Sequence, residues 1–180
     1  SHLGASHARE VRWAQIIQAL IPSAERIRFT ASGTEATHMA LRLARAHTGK
    51  TKLARFRANF HGWHDHMTSG YQSHYDGSPT PGVLPGVADS VVLLAPGDLD
   101  AVRDAFEADA DIAAVFIEPT GGTFGLVPVS REFVAGLREL ATKHGVALVF
   151  DEVITGFRVS RGGAQAALGV IPDMTVLAKI

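Results

Sequence analysis

The sequence predicts an α/β fold, with a parallel-type sheet covered by helices on both faces. Short apolar runs of strand length alternate along the chain with amphipathic segments of helix length. The runs are continuously apolar, as in 146–150, which is typical of parallel strands buried on both faces. The chain has 180 residues, of which 46% are apolar and 19% charged. Length and composition therefore favour a single domain over 1–180, with enough apolar material for a core.

The first half of the chain begins with a helix, because apolar residues recur at helical spacing over 8–20 and Pro22 follows. Ile27–Phe29 resembles a short strand. A second amphipathic helix follows Ser32-Gly33-Thr34 and ends at Gly49, and a second strand covers Lys52–Phe56. The stretch 59–86 is rich in Gly, Pro, His, Ser and Asp, which predicts loops.

The second half of the chain repeats a strand–helix pattern. The predicted elements are a strand at 91–95, a helix from an Asp98 cap to Ala108, a strand at 112–118, a helix at 131–144 between Ser130 and Gly145, and a strand at 146–150. We expect the last two strands to be parallel and joined by a right-handed crossover.

Bulk properties exclude several classes of function. The net charge of −1 argues against a dedicated nucleic-acid or membrane-surface protein, which would need a basic excess. The absence of cysteine excludes disulfides and thiolate zinc sites. No apolar run reaches the length of a membrane span and no signal-peptide pattern opens the chain, so we expect no membrane partner and a cytoplasmic location.

Three polar groups are predicted to share the carboxyl-end rim of the sheet, where ligands of such folds bind: Ser32-Gly33-Thr34, Glu118 with the glycines after it, and Asp151-Glu152. A glycine between two hydroxyls at a helix start can bind a phosphate through backbone amides and the helix dipole. The same pattern also fits an ordinary helix cap, and taken alone it favours the cap.

Asp151 follows a buried strand, where a carboxylate needs a partner. A protonated pyridine nitrogen is one such partner, and a salt bridge or a helix cap is the alternative. Glu152 is interpreted as a scaffold or surface carboxylate. Lys179 lies in an apolar stretch, where desolvation favours the neutral, nucleophilic amine; the alternative is a solvated lysine. The chain ends within that stretch at Ile180, so we expect it to be a fragment of a longer protein.

Four histidines crowd one loop: His61, His64, His66 and His74. Their spacing fits no standard zinc pattern and few carboxylates are near, so no metal site is predicted. Among the four, His61 is the best candidate for lining a substrate pocket.

Six short motifs, in this order along the chain, resemble those of class III aminotransferases. They are S-G-T-E-A at 32–36, F-H-G at 60–62, E-P at 118–119, D-E-V at 151–153, T-G-F-R at 155–158 and D-M-T-V-L-A-K at 173–179. The resemblance spans nearly the whole chain. Within that class the sequence is most similar to glutamate-1-semialdehyde aminomutases and related aminotransferases. The resemblance implies that the chain is the large domain of a fold type I transferase that uses pyridoxal 5′-phosphate (PLP). It also implies that this domain is truncated, so that the small domain and the C-terminal part are absent.

The resemblance also implies a role for each site residue. Gly33 and Thr34, with Ser32 beside them, would hold the cofactor phosphate; Phe60 and Val153 would pack on the two faces of its ring, near His61. Asp151 would pair with the ring nitrogen. Lys179 would form the Schiff base and shuttle the proton between substrate and cofactor. The family usually has Tyr in place of Phe60, and the aminomutases commonly have Asn in place of Thr123.

The function that this resemblance implies is PLP-dependent amino transfer between an amino acid or amine and an oxo acid or aldehyde. A 1,2-amino shift within one molecule, as in the aminomutase, is the close alternative. A non-catalytic fragment or interaction module that retains the fold is the alternative of another class. The implied partners are a small amino donor and a carbonyl acceptor, with a homodimer in the full-length protein.

Overall fold

Helices and strands alternate along the computed structural model, which describes residues 7–71, 74–78, 80–122 and 125–179. The helices are α1 (Ala8–Leu20), α2 (Gly33–Thr48), α3 (Pro85–Ala88), α4 (Leu99–Ala108), α5 (Arg131–His144) and α6 (Gly163–Leu168). The strands are β1 (Lys52–Phe56), β2 (Val91–Leu94), β3 (Ile112–Ile117), β4 (Gly121–Gly122), β5 (Val127–Pro128), β6 (Ala147–Asp151) and β7 (Met174–Val176). Within the described part of the chain, no helix is long and apolar enough to cross a bilayer.

Five of the strands form one parallel sheet in the order β2-β1-β3-β6-β7. The helices α4 and α5 supply the crossovers that parallel pairing requires between β2, β3 and β6. The remaining pair, β4 and β5, forms a short antiparallel ribbon just after β3. The predicted α/β class with a parallel sheet is confirmed.

The two faces of the sheet bury separate apolar clusters, as the alternation of side chains along β3 shows. Val115 and Ile117 belong to the cluster that packs against α4 and α5. Ala114 and Phe116 point the other way, into the cluster that includes Leu41 of α2. Helices therefore cover both faces of the sheet.

Polar caps set the helix starts as predicted. Asp98 accepts a hydrogen bond from the Ala101 amide at the start of α4, and Ser130 accepts one from Phe133 at the start of α5. Gly145 ends α5 with a left-handed φ of 60°. The helix boundaries predicted from these residues are confirmed.

The prediction of a strand at Ile27–Phe29 is wrong. Among the described residues no strand pairs with this segment, and its Phe29 ring instead stacks on Trp13 of α1 with ring centroids 4.7 Å apart. Conversely, β7 was not predicted. Its three residues are too few to show a strand pattern, and its existence depends on pairing with β6.

Candidate active site

A cavity of about 470 Å³ opens at the carboxyl end of the sheet. Its walls come from the first turn of α2, from the loops after β1, β3 and β6, and from the segment after β7. Most of the predicted site residues line it: Gly33, Thr34, Phe60, His61, Glu118, Asp151, Val153 and Lys179. Ser32 and Glu152 do not line it.

The first turn of α2 presents backbone donors to the cavity. Ser32 caps the helix, because its Oγ accepts a hydrogen bond from the Glu35 amide at 3.2 Å. The amides of Gly33 and Thr34 have no partner among the described residues, as expected for the first turn of a helix. These two N–H groups, with the positive end of a 16-residue helix behind them, form a site suited to an anion. The Ser32 side chain therefore acts as an ordinary helix cap. The backbone amides of Gly33 and Thr34 remain candidates for phosphate binding.

The loop after β1 crosses this turn at close range. Gly62 has a left-handed φ of 97°, and a Cβ built on it would lie 2.6 Å from Thr34 Oγ1 and 2.9 Å from Thr34 Cα. Val153 approaches from the other side, since a Cβ on Gly33 would lie 3.2 Å from its Cγ2. The absence of side chains at both glycines allows the three segments to meet around the turn.

We expect Gly62→Ala to destabilise the fold by about 2–5 kcal/mol, the sum of a left-handed backbone penalty and overpacking against Thr34. Gly82→Ala is the matched control: Gly82 has a φ of 92°, but a Cβ built on it would meet nothing within 4 Å. It carries the backbone penalty alone, about 1–2 kcal/mol. Urea denaturation of both variants measures the difference, and equal losses would show that the contact with Thr34 is unimportant.

Asp151 ends β6 at the cavity wall and is 6% exposed. Its Oδ1 accepts a hydrogen bond from the Val153 amide at 3.1 Å, and its Oδ2 lies 2.9 Å from Nδ1 of His61. Thr37 of α2 holds the His61 main chain, since its Oγ1 donates to the His61 carbonyl at 2.7 Å. The carboxylate is thereby fixed in position at the cavity.

The His61 side chain is completely buried, and this burial lowers the pKa of its imidazole more than the Asp151 carboxylate raises it. A neutral ring beside a carboxylate donates from Nδ1, which places the unprotonated Nε2 on the far side. Nε2 has no hydrogen-bond partner among the described residues. His61 thus lines the cavity wall with a fully buried side chain that supports the Asp151 carboxylate.

Glu118 follows β3 and fastens the loop that carries Phe60. Its Oε1 accepts a hydrogen bond from the Phe60 amide at 2.5 Å, and its own amide donates to Asn59 Oδ1 at 2.7 Å. The Phe60 ring stands at the cavity rim, 39% exposed, with its centroid 5.1 Å from that of Tyr71. Phe60 and Val153 are therefore the aromatic and the aliphatic walls of the cavity.

Arg55 of β1 lies fully buried beneath the same loop, and sequence reasoning missed it. Its guanidinium donates to the carbonyls of Met67 and Asn59. Burial lowers the pKa of Arg55 to about 10, against the attraction of the Glu118 and Asp151 carboxylates. It is therefore still a cation at neutral pH, and it balances the two carboxylates at the cavity while tying the loop to the sheet.

Glu152 is a scaffold carboxylate, buried rather than at the surface. Its side chain turns away from the cavity and accepts hydrogen bonds from Thr155 Oγ1 at 2.9 Å, from the Ala164 amide at 2.5 Å, and from the amide and Nε2 of Gln165 at 3.2 and 2.9 Å. These bonds tie the turn after β6 to the start of α6. The scaffold interpretation is confirmed, and a surface position is excluded by its full burial.

Lys179 follows β7 and lines the cavity on the side next to Asp151, because Asp151 pairs with Val176 in the sheet. Of the two interpretations of Lys179 that the sequence leaves open, the structure agrees with the solvated lysine, since the residue is exposed. Its φ of 55° is left-handed, which is uncommon for a residue other than glycine.

Two histidines of the loop lie near each other, since the ring centroids of His64 and His66 are 6.0 Å apart. His64 stacks on His38 with centroids 4.8 Å apart, and His74 Nδ1 pairs with Ser78 Oγ at 3.1 Å. Within the described ranges, no group of three or more His, Asp or Glu side chains could hold a metal ion. Thr123, at which the aminomutases commonly have Asn, lies outside the described residues.

Comparison with protein families places this geometry in context. The family profile described as "Aminotransferase class-III" matches residues 2–180. A curated protein named glutamate-1-semialdehyde 2,1-aminomutase, from Desulforamulus reducens, is 46% identical over 98% of this chain and 42% of its own length. The chain spans less than half the length of the curated relatives it matches.

Solved structures share the fold. An omega-transaminase from Sphaerobacter thermophilus is 37% identical with a TM-score of 0.89, over 97% of this chain and 42% of that protein. A structure described as a transaminase with PLP bound is 34% identical with a TM-score of 0.88, over 98% of this chain and 42% of that protein. The cavity residues thus lie on the same fold as those of proteins that carry out amino-group chemistry.

Proposed function

Because the chain belongs to the class III aminotransferase family, we propose that it binds PLP in the cavity at the end of the sheet and serves PLP-dependent amino-group transfer. The observation that carries the proposal is the meeting of three groups in one cavity. An anion-binding turn at Gly33–Thr34, the buried carboxylate of Asp151 and the amine-bearing Lys179 all line it, although they lie far apart in the sequence.

The residues present fit this cofactor. The partnerless amides of Gly33 and Thr34 suit a phosphate, and the cavity lies between an aromatic wall at Phe60 and an aliphatic wall at Val153, which suits a flat ring. A volume of about 470 Å³ is within the usual range for a cofactor or small-ligand pocket. Bound PLP supplies an electron-withdrawing ring that stabilises negative charge on the carbon beside a substrate amine.

Each residue of the chain then has a distinct task. Gly33 and Thr34 hold the phosphate through backbone N–H groups and so fix the position of the ring. Asp151, held by His61 and the Val153 amide, keeps a proton on the ring nitrogen, because a fixed carboxylate favours the charged form of a neighbouring base. Lys179 would hold the cofactor through its Nζ and would serve as the base and acid that moves a proton at the substrate carbon.

The finer activity that we propose is that of a glutamate-1-semialdehyde 2,1-aminomutase, in which the amino group shifts between neighbouring carbons of one molecule. The curated relatives that carry this name are 42–49% identical to the chain. This ranking reverses the order expected from the sequence, where transfer between two molecules came first. Transamination remains the second candidate, supported by the similarity to the omega-transaminase fold.

Product analysis separates the two candidates. The complete protein is loaded with PLP and supplied with glutamate-1-semialdehyde alone, and the products are followed by chromatography. We expect 5-aminolevulinate without any added amino acceptor. Conversion that requires an added oxo acid would overturn the aminomutase proposal and support transamination, and a protein that takes up no PLP would overturn both.

We also propose that the complete protein forms a homodimer, in keeping with the family resemblance. Two of the residues that line the cavity, Phe60 and Val159, are 39% and 49% exposed, so that the cavity mouth offers apolar surface that a second subunit could cover. The molecular mass in solution tests this directly, and a monomer at micromolar concentration would contradict it.

A further inference from the structure

Arg158 is the last residue of the T-G-F-R motif, and the proposed roles leave it unused. It lines the same cavity as Asp151 and Lys179 and is exposed to solvent there. Its Nε donates to the Ile154 carbonyl at 3.0 Å, which fixes the plane of the guanidinium near the main chain. Within the described part of the chain, no acceptor pairs with its two Nη groups. A guanidinium held at one nitrogen thus presents its other donors at the cavity.

The turn that carries Arg158 is held firmly. The amides of Arg158 and Val159 donate to the Thr155 carbonyl at 3.1 and 3.2 Å, and the Thr155 hydroxyl is bonded to the buried Glu152. Phe157, directly before Arg158, has a left-handed φ of 58°. A bulky residue adopts this conformation only where its surroundings enforce it, and such positions concentrate at ligand-binding turns.

The same turn packs directly on the segment that carries Lys179. A Cβ built on Gly156 would lie 2.5 Å from Leu177 Cδ2 and 2.8 Å from the Glu152 carbonyl oxygen, so the absence of a side chain at Gly156 lets the turn lie against the Leu177 segment. The main chain adds a second link, since the Glu152 amide donates to the Val176 carbonyl at 2.8 Å. Arg158 and Lys179 are therefore fixed relative to each other, one on each of two segments in contact.

The charges at the cavity leave one cation for a substrate. Among the described residues that line it, the cationic side chains are those of Arg158 and Lys179, and Lys179 serves the cofactor in the proposed function. The two lining carboxylates already have donors, His61 for Asp151 and the Phe60 amide for Glu118. An additional anion in the cavity would therefore be attracted to Arg158.

We propose that Arg158 determines specificity by binding a carboxylate of the amino substrate, so that the site prefers carboxylate-bearing substrates to uncharged amines. This inference rests on the proposed function. The planar guanidinium matches a carboxylate with two parallel hydrogen bonds, which an ammonium group or an amide cannot reproduce. The fixed separation of Arg158 and Lys179 then sets how far from the reacting carbon that carboxylate can lie.

The test is the binding of glutarate, an unreactive five-carbon dicarboxylate, to the PLP-loaded complete protein by calorimetry. We expect Arg158→Gln to raise the Kd for glutarate roughly ten- to hundredfold, because a charge-assisted hydrogen bond is lost. Arg158→Lys should lie between this variant and the wild type. Glutaramide, which has the same length and no charge, should bind all of these proteins equally weakly.

Arg161→Gln is the matched control, because Arg161 is an exposed arginine three residues further along that does not line the cavity. It should leave the Kd for glutarate within about twofold of the wild type. An unchanged Kd in Arg158→Gln, with the visible absorbance of bound PLP intact, would overturn the role of Arg158 alone. So would a wild-type protein that binds PLP and not glutarate. A wild-type protein that takes up no PLP would instead overturn the proposed function, and this inference with it.

Discussion

Lys179→Ala is expected to reduce turnover by about 10³-fold or more, because one amine performs both the covalent attachment of the cofactor and the proton transfer at substrate carbon. The variant should also lose the visible absorbance that PLP acquires on bonding to a lysine. Its fold should be unaffected, since Lys179 is exposed and lies beyond β7. Absorbance spectra and steady-state rates of the complete protein, compared with the wild type, measure both effects.

The control for this prediction is Lys143→Ala. Lys143 of α5 lies outside the cavity, with its Nζ 3.8 Å from Glu107 Oε1, and its side chain is 65% exposed. Removing it should change neither the spectrum nor the rate. If Lys179→Ala kept the absorbance band and turned over within tenfold of the wild type, the role given to Lys179 would be wrong.

Asp151→Asn is expected to weaken PLP binding about a hundredfold and to lower the rate by roughly 10²- to 10³-fold, the range set by breaking a buried charge pair. The side chains have the same shape, but the single amide oxygen of Asn can accept only one of the two hydrogen bonds, from His61 or from the Val153 amide. The larger part of the loss is electrostatic, because a neutral amide cannot keep a proton on the ring nitrogen. Equilibrium dialysis of PLP and single-turnover rates separate binding from chemistry.

Glu152→Gln distinguishes this effect from general damage. Glu152 is the adjacent carboxylate and is also buried, yet it does not line the cavity, and three of its four hydrogen-bond donors belong to Ala164 and Gln165, which do not line it either. We expect a lower unfolding midpoint with little change in PLP affinity of the folded protein. Equal losses of PLP affinity in the two variants would show that Asp151 acts through the fold and not through the cofactor.

The sequence predicted the sheet and most helices because their signals are local. Apolar runs such as 146–150 and caps such as Asp98 and Ser130 depend on neighbouring residues alone. β7 and the segment Ile27–Phe29 were misjudged for the opposite reason. Whether three or four apolar residues form a strand depends on a partner strand beside them. β7 pairs with β6, whereas Ile27–Phe29 has no strand partner among the described residues.

The candidate site was predictable as a set of residues but not as a network of contacts. The bond between His61 and Asp151 joins residues 90 positions apart, and no spacing rule reveals it. Burial of Arg55 could not be foreseen either, because the neighbours that accept its hydrogen bonds are main-chain carbonyls of a loop. The apolar neighbours of Lys179 in the sequence could not show whether its side chain is buried, and the structure leaves the residue exposed at the cavity.

The most direct measurement is borohydride reduction of the PLP-loaded complete protein, followed by peptide mass spectrometry. Reduction makes a lysine–PLP linkage permanent, so the mass of the labelled peptide shows which lysine carries PLP. The chain offers three competitors, all engaged outside the cavity: Lys50 with the His144 carbonyl, Lys52 with Asp109 and Lys143 near Glu107. Modification of Lys179 at one PLP per chain is the predicted result. Labelling of another of these lysines, or an unlabelled Lys179, would contradict the claim that PLP binds where Asp151, the Gly33 turn and Lys179 meet.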